Sequence, residues 1–174
     1  MFSKENDMFD TARSILKRDP AAKNLLEVIL LYPGLHALFY YRIGNKLYQW
    51  KRYVLARMVS QWARFITGIE IHPGATIGKR LFIDHGIGVV IGETTIIGDD
   101  CTIYHDVTLG GKNGSNGKRH PTLQDRVVVG AGAIVIGPLI IGHDAKIGAG
   151  AVVVKNVENG VTVVGNPAKP ISKS

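Results

Sequence analysis

A six-residue period is the feature of this sequence that most restricts its fold. Aliphatic residues recur at this spacing in thirteen positions, divided among three runs. The positions are Ile71, Ile77, Ile83; Ile91, Ile97, Ile103, Leu109; and Leu123, Val129, Val135, Ile141, Ile147, Val153. Glycine follows many of them, and a period of six is out of phase with the α-helix. The pattern predicts a parallel β-helix of hexapeptide repeats rather than an ordinary β-sandwich.

Each step of such a solenoid is expected to form a short strand and a turn, and three steps close one coil of a triangular prism. The position four residues after the aliphatic one also points inward, near a corner, and is small. Residues of this kind are Ala75, Thr95, Cys101, Ala133, Ala145 and Ala151. Two irregular steps interrupt the period: Ile91 follows Ile83 after eight residues, and Leu123 follows Leu109 after fourteen. Because loops on a rigid scaffold often carry function, we expect the site at these interruptions.

The first 68 residues lack the period and are predicted to be helical. We expect Asp19 to cap a helix with Pro20 in its first turn, and Gly68 to end the last helix. The predicted helices are 9–17, 21–31, 35–50 and 53–67. The fold class is therefore α+β: an N-terminal helical region (1–68), a β-helix domain (69–165) with a loop at 110–121, and a C-terminal tail (166–174). The helices are expected to cover the open end of the β-helix.

Composition and charge restrict the function classes. No apolar run reaches the ~18 residues of a membrane span and no signal peptide is evident, so we expect a cytoplasmic protein without a membrane partner. The single cysteine, Cys101, excludes an intramolecular disulfide. The net charge of +7 favours anionic partners. Because no nucleic-acid-binding motif accompanies this charge, we expect no nucleic acid, and a phosphorylated ligand such as coenzyme A fits better.

Histidine is well suited to general base catalysis, because it titrates near neutral pH. Of the six histidines, His85 stands at the eight-residue step, directly after Asp84. An imidazole beside a carboxylate has the chemistry of a general base, although the dipeptide alone is a weak signal. His36 and His143 are expected to be surface or packing residues. Cys101, at an inward corner, is expected to be an inert buried thiol and not an acetyl carrier.

Longer motifs, in matching order and spacing, carry a resemblance to a known family. They are Gly68-Ile69-Glu70-Ile71-His72-Pro73, Ile83-Asp84-His85-Gly86, Val89-Val90-Ile91-Gly92-Glu93-Thr94, Val107-Thr108-Leu109-Gly110-Gly111, Arg119-His120-Pro121 and Val164-Gly165-Asn166-Pro167-Ala168. With these motifs the chain resembles the serine O-acetyltransferases of the hexapeptide-repeat acyltransferase superfamily, over nearly its whole length. The resemblance implies acetyl transfer from acetyl-CoA to L-serine, giving O-acetyl-L-serine and CoA, the first step of cysteine biosynthesis.

The same resemblance implies architecture and assembly. It predicts that the β-helix is left-handed and that the chain forms a homotrimer, with active sites between neighbouring prisms. Hexameric members carry a longer helical extension, which the N-terminal part of this sequence lacks. We therefore expect a trimer, with a hexamer as the alternative.

Residue roles also follow from the resemblance. His85 is expected to take the proton of the serine hydroxyl as general base. Glu70, where the best-known members have Asp, is expected to orient the imidazole and stabilise the imidazolium. The implied serine-binding residues are Asp19 and Asp84 for the ammonium group, and Arg119 and His120 for the carboxylate.

Acetyl-CoA is expected as a co-substrate, with no cofactor and no metal. The backbone at Gly110 and Gly111 is expected to supply an oxyanion donor, because glycine lets the backbone approach a ligand closely. The CoA contacts implied by the resemblance are Ala131, Lys146, Ala149 and Lys169. Where members of the family have Thr-Gly-Lys after Gly111, this chain has Lys112-Asn113-Gly114, which predicts a changed contact with CoA.

Two further partners are implied by the family. L-cysteine is expected to compete with serine as a feedback inhibitor. Members dock into O-acetylserine sulfhydrylase through a terminal isoleucine, whereas this sequence ends Ile171-Ser172-Lys173-Ser174, so we do not expect that complex.

Three other interpretations stay open on the sequence alone. The first is an acetyltransferase for another hydroxyl, of a sugar or a xenobiotic, although Asp19 and the Arg119-His120 pair favour an amino acid. The second is a zinc enzyme resembling the γ-type carbonic anhydrases, in which histidines from adjacent chains bind the metal. His72, His85 and His105 are the candidates, although the expected histidine spacing is missing. The third is a scaffold without catalytic activity.

Overall fold

Helices come first and short strands follow in the computed structural model, which describes residues 8–112 and 117–171. Within these ranges the four helices are α1 (Met8–Arg18), α2 (Leu25–Leu31), α3 (Pro33–Gln49) and α4 (Tyr53–Thr67). Residues 113–116 of the predicted loop and 172–174 of the predicted tail lie outside the described residues. None of the described helices is long and apolar enough to cross a bilayer.

The predicted end of the last helix agrees with the structure, whereas the predicted start of the second helix does not. Gly68 ends α4 in the left-handed conformation, with a φ of 71°, as predicted. The predicted cap at Asp19 is wrong, because α2 begins at Leu25. Its N-cap is Asn24, whose side chain accepts a hydrogen bond from the Glu27 N–H at 2.9 Å. Asp19 instead lies in the turn between α1 and α2.

Short strands joined by turns make up the rest of the described chain. Their bounds are β1 (Glu70–Ile71), β2 (Thr76–Ile77), β3 (Phe82–Ile83), β4 (Val90–Ile91), β5 (Ile96–Ile97), β6 (Thr102–Ile103), β7 (Thr108–Gly110), β8 (Thr122–Leu123), β9 (Val128–Val129), β10 (Ile134–Ile136), β11 (Ile140–Ile141), β12 (Lys146–Ile147), β13 (Val152–Val153), β14 (Thr162–Val164) and β15 (Lys169–Pro170).

The strands form three sheets, with the orders β1-β4-β7-β10-β13, β2-β5-β8-β11 and β3-β6-β9-β12-β14-β15. Strands one coil apart pair in parallel register, as Ile71 does with Ile91. The protein is therefore an N-terminal helical region followed by a left-handed parallel β-helix, as expected. One difference lies in the predicted tail, where β15 turns back and pairs antiparallel with β14.

The aliphatic position of the repeat forms the core. Twelve of the thirteen predicted side chains are at most 4% exposed, and Ile77 is partly buried. The small corner residues are buried as well, from Ala75 in the first coil to Ala151 in a later one. Each fully buried aliphatic side chain contributes roughly 1.5–3 kcal/mol by leaving water. The six-residue pattern is thus confirmed as the signal of the core.

The turns between the sheets stack into three edges of the prism. The His85 edge consists of 84–89, 104–107, 130–133 and 148–151 and leads from the β3 sheet to the β1 sheet. The Arg119 edge consists of 72–75, 92–95, 111–112, 117–121 and 137–139 and leads from the β1 sheet to the β2 sheet. The third edge consists of 78–81, 98–101, 124–127 and 142–145. The two irregular steps therefore lie on different edges.

Side chains on the third edge bind the turn of the neighbouring coil. Asp99 Oδ1 accepts a hydrogen bond from the Lys79 N–H at 2.7 Å, and Asp125 Oδ1 accepts one from the Asp99 N–H at 2.8 Å. Arg126 pairs with Asp144 on the next coil at 2.7 Å. The polar groups of this edge thus stabilise the stack of coils.

The helical region covers the first coil. Ser60 in α4 donates a hydrogen bond to the Ile71 carbonyl oxygen at 2.7 Å, and Tyr41 in α3 donates one to the Ala75 carbonyl oxygen at 2.6 Å. Leu38 in α3 is buried in the same apolar cluster as the aliphatic residues of the coils. The helices thus close the open end of the solenoid, as expected.

The close approach of α3 to β3 leads to a stability prediction. A Cβ at Gly34 would overlap the Ile83 carbonyl oxygen. We predict that Gly34→Ala destabilises the protein by about 1–3 kcal/mol, because α3 must move away from β3. Gly44→Ala in the same helix is the matched control, because its Cβ would make only ordinary contacts and alanine favours a helix by about 1 kcal/mol. Thermal unfolding measures both variants, and an unchanged Tm for Gly34→Ala would contradict the prediction.

Candidate active site

His85 lies in the turn that follows β3. Its backbone is left-handed, with a φ of 59°, and the same conformation recurs one coil later at Asp106, with a φ of 56°. The His85 side chain is 76% exposed, and its Nε2 lies 3.9 Å from Asp84 Oδ1. The ring meets His105 edge-on, at 5.9 Å between centroids. An accessible imidazole beside a carboxylate has the geometry that a general base needs.

Beyond His105, the His85 edge is lined by small residues. The Gly132 N–H donates a hydrogen bond to the His105 carbonyl oxygen at 2.9 Å, and the Gly150 N–H donates one to the Ala131 carbonyl oxygen at 2.8 Å. This ladder brings Ala131, a predicted CoA contact, into line with His85. A Cβ at Gly132 or Gly150 would meet nothing within 4 Å, so the surface here is open.

The other predicted CoA contacts lie on or near the same edge. Ala149 is exposed in the turn at 148–151 of the His85 edge, one coil beyond Ala131. Lys146 in β12 and Lys169 in β15 are exposed on the sheet that leads into the edge. The structure thus places the ammonium groups of Lys146 and Lys169 on the sheet next to the His85 edge, where the surface consists of small residues and backbone.

Asp19 belongs to the His85 group rather than to a helix cap. Its Oδ2 accepts a hydrogen bond from the Tyr32 hydroxyl at 2.6 Å, and its Oδ1 accepts one from the Ala21 N–H at 2.8 Å. The Tyr32 bond, followed by the Ala21 bond and the nearby charges of His85 and Lys23, lowers the pKa of Asp19 against the opposing effect of burial. Asp19 is therefore an ionised carboxylate within electrostatic reach of His85.

Tyr32 completes this group. Burial raises the pKa of its phenol, and the hydrogen bond and charge of Asp19, with the charges of Glu27 and Asp84, raise it further. The hydroxyl therefore stays protonated and donates to Asp19. The structure thus brings together Asp19, Asp84 and His85, and adds Tyr32, which no sequence signal marked as functional.

Glu70 does not contact His85 in the described conformation. Its carboxylate pairs with Arg64 at 3.0 Å and with Arg57 at 3.7 Å, and both arginines belong to α4. Within the described part of the chain, no ion pair joins Glu70 to His85. The orienting role of Glu70 stays a prediction.

A second group lies on the Arg119 edge. Arg119 Nη2 pairs with Glu93 Oε2 at 2.6 Å, and the Tyr48 hydroxyl donates a hydrogen bond to Glu93 Oε1 at 2.9 Å. The Tyr48 bond, followed by the charges of His72, Arg119 and His120, lowers the pKa of Glu93 against the effect of burial. The guanidinium is therefore held by an ionised carboxylate, which itself is anchored to α3.

His120 is 8% exposed and lies directly against glycine backbone. A Cβ at Gly92 would overlap its ring, and a Cβ at Gly111 would lie 3.1 Å from its Nε2. Burial, followed by the positive charge of Arg119, lowers the pKa of His120, although the Glu93 charge opposes this. The ring is therefore neutral at physiological pH.

The two predicted oxyanion glycines differ in their bonding. The Gly110 carbonyl oxygen accepts a hydrogen bond from the Gly137 N–H at 3.0 Å, inside the stack of coils. The Gly111 N–H has no hydrogen-bond acceptor in the part of the chain that the structure describes. Gly111 is exposed, so its N–H is available to a ligand.

The predicted site residues thus divide between two edges of one prism. Asp19, Asp84, His85 and most of the predicted CoA contacts share the His85 edge, whereas Gly111, Arg119 and His120 share the Arg119 edge. A single chain does not bring the two groups together. The side chains predicted to bind the carboxylate of the substrate are therefore separated from the candidate base by a face of the prism.

Four residues that hold these groups carried no predicted role: Tyr32, Tyr48 and Glu93, and also Thr94, whose Oγ1 accepts hydrogen bonds from the Arg119 and His120 N–H groups. Glu93 and Thr94 stood inside a motif that carried the family resemblance, so a signal for them existed. Tyr32 and Tyr48 carry no such signal, because each contacts a carboxylate that is distant in the sequence.

Within one chain, the three histidines nominated as zinc ligands do not come together. His72 lies on the Arg119 edge, whereas His85 and His105 lie on the His85 edge. No group of three or more His, Cys, Asp or Glu side chains among the described residues is arranged to hold a metal ion.

Comparison with known proteins gives a clear relationship. No family model matches the chain. A curated relative, the serine acetyltransferase of Helicobacter pylori strain 26695, is 60% identical over 167 residues, which cover 96% of this chain and 98% of the relative. The chain belongs to the serine acetyltransferase family.

Solved serine acetyltransferases share this fold. The enzyme of Neisseria gonorrhoeae in complex with serine is 41% identical, with a TM-score of 0.91. A serine acetyltransferase in complex with cysteine is 37% identical, also with a TM-score of 0.91. The match to these structures covers 95% and 93% of this chain, and 67% of each solved chain. This chain thus spans about two thirds of the length of the solved ones.

The buried thiol of Cys101 leads to a reactivity prediction. Cys101 is fully buried, its Sγ lies 3.1 Å from the Gln124 carbonyl oxygen, and burial raises its pKa to about 11. Because the thiolate is the reactive form, iodoacetamide at pH 8 is expected to label Cys101 only after denaturation. Cys101→Ala is expected to retain acetyltransferase activity. Rapid labelling of the folded protein, or loss of activity in folded Cys101→Ala, would contradict the prediction of an inert thiol.

Proposed function

We propose that this protein transfers the acetyl group of acetyl-CoA to the hydroxyl of L-serine, giving O-acetyl-L-serine and CoA. Family membership at 60% identity supports this activity, as does a solved relative in complex with serine. The observation that carries the proposal is the group around His85, an exposed imidazole beside Asp84 and the ionised Asp19. We propose no cofactor and no metal, because a thioester already carries an activated acetyl group.

Direct attack of the serine hydroxyl is the mechanism that this group favours. His85 takes the hydroxyl proton while the oxygen attacks the thioester carbonyl carbon. The C–S bond then breaks, and CoA leaves as a thiolate that takes the proton from the His85 imidazolium. Asp19 and Asp84 attract the serine ammonium, because both carboxylates lie on the His85 side. Arg119 and His120 are proposed to bind the serine carboxylate.

Glu70 remains our proposed orienting group for His85. For this role its carboxylate must exchange its contacts with Arg57 and Arg64 for the imidazole. The exchange replaces two partly exposed ion pairs, which are worth little in water, by one charge-assisted hydrogen bond.

We propose that the active unit is a homotrimer in which the His85 edge of one chain faces the Arg119 edge of the next. The separation of the two groups within one chain supports this arrangement, because each site is then completed by a neighbour. CoA would lie along the small residues of the His85 edge, near Lys146 and Lys169, with the Gly111 N–H as oxyanion donor.

A hexamer is the alternative assembly, through the helical region. Large apolar side chains on α4 favour a further contact between chains: Val54 is 75% exposed, Trp62 57% and Phe65 81%. Light scattering on the purified protein distinguishes the two masses.

We propose that L-cysteine inhibits by occupying the serine site. The solved complex of a serine acetyltransferase with cysteine supports this view. Cysteine carries the same ammonium and carboxylate as serine, so the same charged side chains can bind it. Docking to O-acetylserine sulfhydrylase is not part of the proposal.

The role of His85 is tested by His85→Ala in an assay of free-thiol release with acetyl-CoA and L-serine. We expect activity to fall by about 100-fold or more while the assembly persists, because the hydroxyl loses its base. His143→Asn is the matched control: His143 Nδ1 accepts a hydrogen bond from the Asp125 N–H on the third edge, and the asparagine oxygen can replace it.

Two results would contradict the proposed function. Retained activity of His85→Ala would remove His85 as the base. In a panel of acceptors, reaction of a sugar or chloramphenicol but not of L-serine would contradict the assignment of serine as substrate.

A further inference from the structure

Thr94 binds three consecutive residues at the end of the fourteen-residue step. The Lys118 ammonium donates a hydrogen bond to the Thr94 carbonyl oxygen at 2.6 Å. Thr94 Oγ1 accepts hydrogen bonds from the Arg119 N–H at 3.0 Å and from the His120 N–H at 3.1 Å. One residue on the neighbouring coil therefore holds the backbone that carries Arg119 and His120.

The Thr94 hydroxyl has its full complement of hydrogen bonds. A hydroxyl has two acceptor lone pairs and one proton to donate. The two amide N–H groups occupy the lone pairs, so the proton is left for His120 Nδ1, at 2.9 Å from Oγ1. The Thr94 N–H also points to this nitrogen, at 3.2 Å. Both contacts require an unprotonated Nδ1, so the neutral ring carries its proton on Nε2.

The Nε2 side of the ring is turned toward the loop glycine. Nε2 has no hydrogen-bond partner among the residues that the structure describes, and it lies next to the Gly111 backbone. A carboxylate only accepts hydrogen bonds. An Nε2–H presents a donor to it, whereas the other tautomer would present a lone pair. Beside it, the guanidinium of Arg119 is held by Glu93 at 2.6 Å.

We infer that Thr94 is a positioning residue that fixes the Nε2–H tautomer of His120, so that His120 and Arg119 together present hydrogen-bond donors to the carboxylate of the acceptor. The inference rests on the proposed function and extends it to specificity. Thr94 therefore favours the binding of an amino acid over that of a hydroxyl compound without a carboxylate. The reason is that a carboxylate pairs with both donors, the His120 Nε2–H and the Arg119 guanidinium.

Three variants separate this role from a general effect on folding. Thr94→Val removes the hydroxyl at similar volume, and Thr94→Ser keeps it. Thr95→Val is the matched control, because Thr95 is the next residue, is 1% exposed, and its Oγ1 has no hydrogen-bond partner. We expect Thr94→Val to raise KM for serine about tenfold or more, with KM for acetyl-CoA nearly unchanged. Thr94→Ser and Thr95→Val are expected to stay close to wild type.

A second measurement does not depend on activity. The ¹⁵N chemical shifts of the imidazole, assigned with His120→Gln, report which ring nitrogen carries the proton. We expect the Nε2–H form in the wild-type protein and in Thr94→Ser, and a mixture of forms in Thr94→Val. Thermal unfolding shows whether each variant is folded. If Thr94→Val does not fold, the spectra of the wild-type protein and of Thr94→Ser decide whether His120 carries its proton on Nε2.

The outcomes separate the inference from the proposed function. An Nδ1–H form of His120 in the wild-type protein, or a folded Thr94→Val with unchanged serine KM and unchanged tautomer, would overturn the inference. A wild-type protein that shows the Nε2–H form but does not acetylate serine would leave the tautomer assignment standing and refute the proposed function.

Discussion

The stacking of one aliphatic side chain on another, every six residues, is the constraint on which this molecule depends. It places each strand directly beneath its counterpart in the next coil, as with Ile71 and Ile91. The turns must then stack too, and they form three continuous edges. A residue's position within the period therefore decides which edge it lies on, and side chains far apart in sequence become neighbours along an edge. His85, His105 and Ala131 are related in this way.

The candidate functional groups lie where the period is interrupted. The eight-residue step adds two residues to the turn after β3, and His85 lies in this longer turn with an exposed side chain. The fourteen-residue step contains Arg119 and His120, which Thr94 and Glu93 of the neighbouring coil hold. The third edge has neither interruption, and its charged side chains bind one another. Regular coils thus provide rigidity, and the two breaks provide the candidate functional groups.

Much of the fold could be predicted, because the core signal is local and repeats. The site could be predicted in part. His85, Arg119 and Glu93 stand in motifs, but the tyrosines that bind Asp19 and Glu93 are placed by the packing of the helical region. Asp19 illustrates the limit: Asp before Pro is a good helix start, yet the side chain binds Tyr32, and α2 begins later. The contacts of Tyr48 with Glu93 likewise depend on how α3 docks, which no short pattern encodes.

We propose above all that each active site is shared between the His85 edge of one chain and the Arg119 edge of its neighbour. Co-expression of His85→Ala with Arg119→Ala tests it most directly. If sites are shared in a trimer, every mixed trimer contains one intact site, so a random equal mixture should recover about one quarter of the wild-type activity. Each variant alone should be nearly inactive. A mixture no more active than the separate variants, although mixed trimers are present, would contradict the shared site.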